Sequence, residues 1–310
     1  MRYSRFVAFS GLLLFLVGCT ESLFSGGVVK VWGERGLSDG RFQKPRAMAI
    51  DAKGDIYVVD MTARIQVFDS EGVFKRSWRT PDSANGKPTG LSIDNDGNLL
   101  VADSHYYQIL VYTPEGKLLS KKTLGGTKGD LPGQFDLVAD VVQDSEGNYY
   151  TAEYGEVHRL QKFSSEGEPL FSWGQVGEKE GEFRRPQSLA LDKNDHLWVV
   201  DACNHRIQVF DATGSEPKLL SIWGSYGFDD GQLNYPYDLV FGDKGESVYL
   251  VESGNHRVQK FSLDGKWKKS WGSRGRKEGQ LFSPWALVRD SNGYFYVGDT
   301  LNHRVQKFYF

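Results

Sequence analysis

One unit of about 48 residues recurs along the whole chain, and no other feature constrains the fold as tightly. Trp32-Gly33, Gly36, Gly40, Phe42 and Pro45 are echoed by Trp173-Gly174, Gly177, Gly181, Phe183 and Pro186. The echo returns at Trp223-Gly224, Gly227, Gly231, Leu233 and Pro236, and again at Trp271-Gly272, Gly275, Gly279, Leu281 and Pro284. A partial copy holds Gly126, Gly129, Gly133 and Phe135, and the second unit keeps only Pro88. After each loop an apolar segment ends near Asp51, Asp94, Asp144, Asp192, Gly242 or Asp290, in steps of 43, 50, 48, 50 and 48 residues. A unit this short cannot bury its own apolar face and must stack on the next, and this period is that of propeller blades.

Each unit reads as four strands. In the fourth, Ser188–Leu191 is the first strand, Lys193-Asn194-Asp195 a tight turn, and His196–Asp201 the second strand. Arg206–Phe210 and Lys218–Trp223 are the third and fourth. Alternating apolar positions and β-branched or aromatic residues support these assignments. Turn chemistry falls between them, as Asp-Gly at 96–97 and 264–265 and Glu-Gly at 71–72, 146–147 and 166–167. No segment carries a helical period.

The ends complete the pattern. The last unit stops at Phe310 directly after its third strand, Arg304–Phe308, while Val28–Trp32 is an orphan strand ahead of the first glycine loop. Pairing the two supplies the sixth blade's fourth strand and removes the exposed edges that invite aggregation. The expected fold is an all-β, six-bladed propeller of four-stranded blades, closed by the N-terminal strand, over residues 28–310.

Residues 1–18 are of a different kind. Arg2 and Arg5 precede an apolar run from Phe6 to Val17, too short to span a membrane as a helix and laid out as an export signal. The run ends in Leu16-Val17-Gly18-Cys19, which resembles the lipobox of bacterial lipoproteins. That resemblance implies lipid on Cys19 and residues 19–27 as a linker. With Thr20 rather than Asp after the cysteine, it also implies a place in the bacterial cell envelope, at the outer membrane facing the periplasm or the cell surface. Eight extended residues between Cys19 and the first strand reach about 28 Å at most, so the propeller is expected close to the membrane. Cys203 then has no disulfide partner and reads as a small buried side chain. The formal charge of −3 falls to −5 once Arg2 and Arg5 are removed, which gives no electrostatic reason to expect nucleic acid as a partner.

The third strands carry the most specific motif. Asn204-His205-Arg206-Ile207-Gln208-Val209-Phe210 recurs as Asn255-His256-Arg257-Val258-Gln259-Lys260-Phe261 and Asn302-His303-Arg304-Val305-Gln306-Lys307-Phe308, with weaker copies at 64–68, 108–112 and 159–163. This resembles the NHL repeat, across essentially all of the chain after residue 27. The resemblance implies the six-bladed propeller and says much less about activity, because propellers host many unrelated functions.

Most candidate constellations read as architecture. The glycine loops recur with no helix after them, unlike a nucleotide-binding loop. His205, His256 and His303 stand at one place in successive blades, about 10 Å outside the innermost strands. In a six-fold ring their mutual distance is then far beyond the ~2 Å reach of shared zinc ligands, so each is read as locked by the neighbouring blade. The acids ending the second strands, Asp60, Asp103, Glu153, Asp201, Glu252 and Asp299, face Arg64, Arg159, Arg206, Arg257 and Arg304 in most blades and read as loop clamps.

The blades differ where they meet the axis. After the aligned proline stand Arg46, Thr89, Ala139, Gln187, Tyr237 and Trp285, then Ala47, Gly90, Asp140, Ser188, Asp238 and Ala286. Few convergent polar groups among aromatics are what a binding pocket uses, and Arg46, Asp140, Gln187, Tyr237, Asp238 and Trp285 are the candidate ligand-binding residues. Peptide-amidating lyases share this architecture, and the likeness would imply a His-bound zinc at this mouth, but none of these positions is His. The histidines outside the repeated set, His105, His158 and His196, fall in outer loops or a second strand. No catalytic set, metal site or cofactor is expected. The function expected is a monomeric, non-enzymatic scaffold that binds an envelope protein, peptide or glycan. The competing expectation is a metal-dependent lyase or hydrolase using Asp140 and Asp238.

Overall fold

The computed structural model describes residues 27–310, so Cys19, the 1–18 signal and most of the linker lie outside the described residues. The described chain forms six four-stranded antiparallel sheets in a ring. Blade one comprises Pro45–Ile50, Ile56–Asp60, Arg64–Phe68 and Phe74–Arg79; blade two Gly90–Ile93, Leu99–Asp103, Gln108–Tyr112 and Leu124–Gly125. Blade three comprises Leu137–Gln143, Tyr149–Tyr154, Arg159–Phe163 and Pro169–Trp173; blade four Pro186–Leu191, Leu197–Asp201, Arg206–Asp211 and Lys218–Trp223. Blade five comprises Pro236–Phe241, Ser247–Glu252, Arg257–Ser262 and Trp267–Trp271. Blade six contributes Ala286–Arg289, Phe295–Asp299 and Arg304–Phe308, and Val28–Trp32 is its outermost strand. The only helical elements among the described residues are short 3-10 turns.

The closure follows the sequence expectation. Val28 pairs with Phe308, Lys30 with Lys307, Val31 with Gln306 and Trp32 with Val305. Trp32 then meets Tyr296 edge-on at 6.0 Å and Phe68 of blade one at 6.2 Å. The strand therefore finishes one blade and packs against the next.

Burial explains the strand patterns. Second and third strands such as Ile56–Asp60 and Arg64–Phe68 are buried at every residue, because a blade on each side covers both faces. The outermost strand Phe74–Arg79 alternates between half-buried and exposed residues. The apolar core is divided between neighbouring blades. Tyr57, Val59, Ile65 and Val67 of blade one pack with Leu91, Val101 and Leu110 of blade two, and Phe42, Met48, Val58 and Phe68 pack with Ala286, Tyr296 and Val305 of blade six.

In five of the six blades an acid directly after the first strand turns the chain, Gly242 taking its place in blade five. Asp290 Oδ1 accepts the N–H groups of Asn292 and Tyr294, each at 2.9 Å, and its Oδ2 accepts Tyr296 Oη at 2.9 Å. Asp51, Asp144 and Asp192 hold their turns in the same way. Loop glycines have two separate reasons. Gly224 has φ +107° and a Cβ there would stand 2.8 Å from Leu233, whereas Gly181 needs φ +74° with open space around it.

Candidate functional site at the channel mouth

The repeated motif builds the face that carries the mouth. Arg206 Nε donates to Asp201 at 2.8 Å, and its terminal nitrogens donate to the carbonyls of Glu178, Lys179 and Glu182 at 2.6–2.8 Å. Asn204 Nδ2 donates to Gly177 O, Gln208 Nε2 to Glu182 O, and Gln208 Oε1 accepts from Gly181 N. Asn, Arg and Gln thus tie down the loop leading into their own blade. His acts on the next blade: Nδ1 of His158, His205, His256 and His303 accepts the N–H of Arg185, Tyr235, Ser283 and Lys44 at 3.0–3.1 Å. The histidines are inter-blade locks, and His158 joins the three found from the motif.

Those N–H donors hold an unusual backbone. Lys44, Arg185, Tyr235 and Ser283 stand at φ +55°, +58°, +48° and +51°, the left-handed region that non-glycine residues enter only where surroundings enforce it. Each directly precedes a proline. Immediately beyond, the register slips. Pro45 pairs with Asp60 and Ala47 with Val59; Pro186 pairs with Asp201 and Ser188 with Val200; Pro236 pairs with Glu252 and Asp238 with Val251. Arg46, Gln187 and Tyr237 are the extra residues of these bulges, and a bulge re-aims its side chain. Here it aims them at the axis.

Around the axis lies a cavity of about 130 Å³, whose lining includes Arg46, Asp140, Gln187, Tyr237, Asp238 and Trp285. Tyr237 and Trp285 stack with centroids 4.8 Å apart and planes 13° apart. The Arg46 guanidinium lies over the Trp285 ring at 5.4 Å. Arg185 reaches in from blade four, donating Nη2 to Tyr237 Oη at 3.1 Å and Nε to Gln187 Oε1 at 3.0 Å, while lying over the Tyr154 ring at 4.9 Å. Neither guanidinium has a carboxylate partner among the described residues. Burial draws Arg46 below its ordinary pKa, with Arg185 adding to the effect against the rings of Tyr237 and Tyr154.

The two channel acids are occupied by the fold. Asp140 Oδ2 accepts Leu189 N at 2.9 Å from blade four, and Asp238 Oδ2 accepts Leu287 N at 2.9 Å from blade six. Asp238 Oδ1 also accepts Leu239 N and Ser188 Oγ, each at 2.8 Å. Burial pushes Asp140 up to about 8, with Asp238 adding to it against the Leu189 N–H. Burial raises Asp238 to about 6, opposed by the Leu287 N–H and Ser188 Oγ. Among the described residues no three His, Cys, Asp or Glu side chains gather closely enough to hold a metal ion.

Three residues near the mouth were not among the candidates drawn from the sequence. Arg185 precedes its proline rather than following it; the available signal was that Lys44, Lys87 and Arg185 put cations at three such positions. His105, expected in an outer loop, sits in the 3-10 turn after Leu99–Asp103, with Nδ1 buried and unpartnered. Burial lowers its pKa, and so do the charges of nearby Arg46 and Lys87. Cys203 is a free thiol, half-buried rather than buried, in the 3-10 turn Ala202–Asn204 near Arg184 and Arg185. Burial raises its pKa.

Blade two is the exception to the clamp. Gln108 stands where other blades have Arg, and Asp103, fully buried, receives only Gln108 Nε2 at 3.4 Å while Oδ1 has no partner. Burial pushes Asp103 up to about 6, opposed by the Gln108 hydrogen bond.

A family model of the NHL repeat matches residues 183–210 and 283–308. NHL repeat-containing protein 3 of Mus musculus is 30% identical over 223 residues, 68% of this chain and 62% of that protein. The peptidylglycine alpha-amidating monooxygenase of Rattus norvegicus is 28% identical over 229 residues, 71% of this chain and 23% of that protein. The chain thus spans less than two thirds of the length of these relatives. Among solved structures, an auxiliary nutrient binding protein from Bacteroides ovatus superposes with a TM-score of 0.69 at 17% identity, covering 91% of this chain and 76% of that one. At that identity the likeness concerns the fold.

Proposed function

Taking the chain as an NHL-repeat six-bladed β-propeller, we propose that it is a non-enzymatic binding scaffold of the bacterial cell envelope. In this reading lipid on Cys19 holds it at the membrane, and an envelope protein, peptide or glycan docks at the channel mouth. One observation carries the reading. The mouth separates into residues spent on the fold and residues left for a partner. Asp140 and Asp238, the acids a hydrolase or lyase would need, hold the backbone of the next blade. Arg46, Gln187, Tyr237 and Trp285 converge from four blades onto one cavity and carry the unspent donors and aromatic edges. The nutrient-binding description of the Bacteroides ovatus neighbour supports a binding role. The export-like segment 1–18 and Cys19 support the anchored location.

Photo-crosslinking of the full lipidated chain in envelope preparations tests this. A captured partner lost in Trp285→Ala is the expected result. Capture unchanged by that substitution, or none at all, counts against it. Thermal stabilisation by calcium or zinc, abolished in Asp238→Ala, would instead favour a metal-dependent lyase or hydrolase.

A further inference from the structure

We propose that the mouth recognises a small apolar monocarboxylate, either free or as the end group of a larger ligand. The carboxylate would lie against Arg46 and its aliphatic stem would enter the channel. The assignment rests on the mouth being the binding surface and names the chemistry it selects.

The polar groups at the rim are donors. Arg46 has no ion-pair partner among the described residues, and its Nε is buried without a hydrogen bond. Tyr237 Oη and Gln187 Oε1 already accept from Arg185, which leaves the Tyr237 hydroxyl proton and Gln187 Nε2 to donate outward. A carboxylate, which only accepts, matches that set, and a charged pair with Arg is the stronger kind of hydrogen bond. A cation or a free ammonium would meet Arg46 and Arg185 together. The ring faces of Trp285 and Tyr237 are covered by each other and by the two guanidinium groups, so the inner mouth presents edges and charge rather than a stacking platform.

The channel wall sets the rest of the ligand. Leu91, Val142, Leu189, Val240 and Leu287 line it, together with Asp140 and Asp238, each of which accepts a backbone N–H of the next blade. The hydroxyls among them are satisfied within the protein. Ser92 Oγ donates to Val141 O at 2.6 Å, Thr89 Oγ1 to Ala139 O at 3.0 Å, and Ser188 Oγ to Asp238. A polyhydroxylated group would leave its own hydroxyls unpaired there, at a cost in affinity. Size is equally selective. An engineered cavity of about 150 Å³ holds benzene, so one of about 130 Å³ takes a carboxylate with a stem of about three or four carbons.

The test titrates the detergent-solubilised full chain, following tryptophan fluorescence and heat, with 2-methylpropanoate, 2-methylpropanamide and glucuronate. Saturable binding of 2-methylpropanoate, weakened at least about tenfold in the amide, is expected. Arg46→Met should lose the acid-over-amide preference and Arg46→Lys should retain part of it. The comparison of acid with amide on the unaltered chain needs no variant to fold. N-acetyl-alanyl-valine separates the sources: tighter binding than 2-methylpropanoate supports an end group on a chain, and weaker binding supports the free acid. Equal binding of acid and amide, preference for glucuronate, or binding of no carboxylate overturns the proposal. A partner captured through Trp285 that these acids do not displace would overturn it while leaving the scaffold reading intact.

Discussion

Replacing Asp103 by Asn should stabilise the propeller at pH 7 by about 3 kcal/mol, and the gain should shrink as the pH is lowered. The other acids at this position receive an N–H from their own leading loop, such as Arg184 N on Asp201 and Phe282 N on Asp299, together with an arginine. Asp103 has neither, only Gln108 at 3.4 Å. Its folded-state pKa of about 6 stands above the ordinary 3.8. Between those values the folded state binds more protons than the unfolded state, so stability falls as pH rises through that window. Each pKa unit corresponds to about 1.4 kcal/mol, which makes the full penalty about 3 kcal/mol. Near pH 5 the penalty is roughly half developed. Asn cannot ionise and escapes it. Urea unfolding of the two proteins at pH 5 and pH 7 reads the difference, in which all other titrating groups cancel. Gln108→Arg should likewise stabilise by returning a cation to the buried acid. A difference that does not grow between pH 5 and pH 7 would refute the account of blade two as an unclamped blade.

Deleting residues 28–32 should lower the melting temperature of the whole domain by about 10 °C or more, because the third strand of blade six and the Trp32 contacts with Tyr296 and Phe68 lose their cover; a scan showing an unchanged midpoint would contradict ring closure as a source of stability. Arg206→Met should destabilise by about 3 kcal/mol, the low end for breaking a buried pair, since Asp201 keeps its bonds from Arg184 N and Asn204 Nδ2. A smaller loss in the Asp201→Asn background, measured by a denaturant double-mutant cycle, is the check. His303→Ala removes the acceptor for Lys44 N between blades six and one and should cost about 1 kcal/mol, read from the shift in the urea midpoint.

What the sequence determined by itself is the ring. A repeat near 48 residues requires stacked units, the strand pattern within a repeat is local, and the orphan strand Val28–Trp32 exactly complements the strand missing from the last unit. The Asp–Arg clamps were legible for the same reason: Asp201 and Arg206 lie in adjacent strands joined by one short turn. The histidines could be assigned to neighbouring blades because ring geometry alone keeps equivalent positions apart. The mouth residues after each proline could be named, since the repeat alignment carries them to the axis. Their chemistry could not, because it depends on how residues from different blades meet. Only the tertiary structure sets Arg46 of blade one over Trp285 of blade six, brings Arg185 onto Tyr237, and turns Asp140 and Asp238 into supports for the next blade's backbone. Charge and polarity are fixed in the sequence, but whether a carboxylate is free or occupied is decided by which N–H lies within about 3 Å of it, and in a closed ring that N–H belongs to a different repeat.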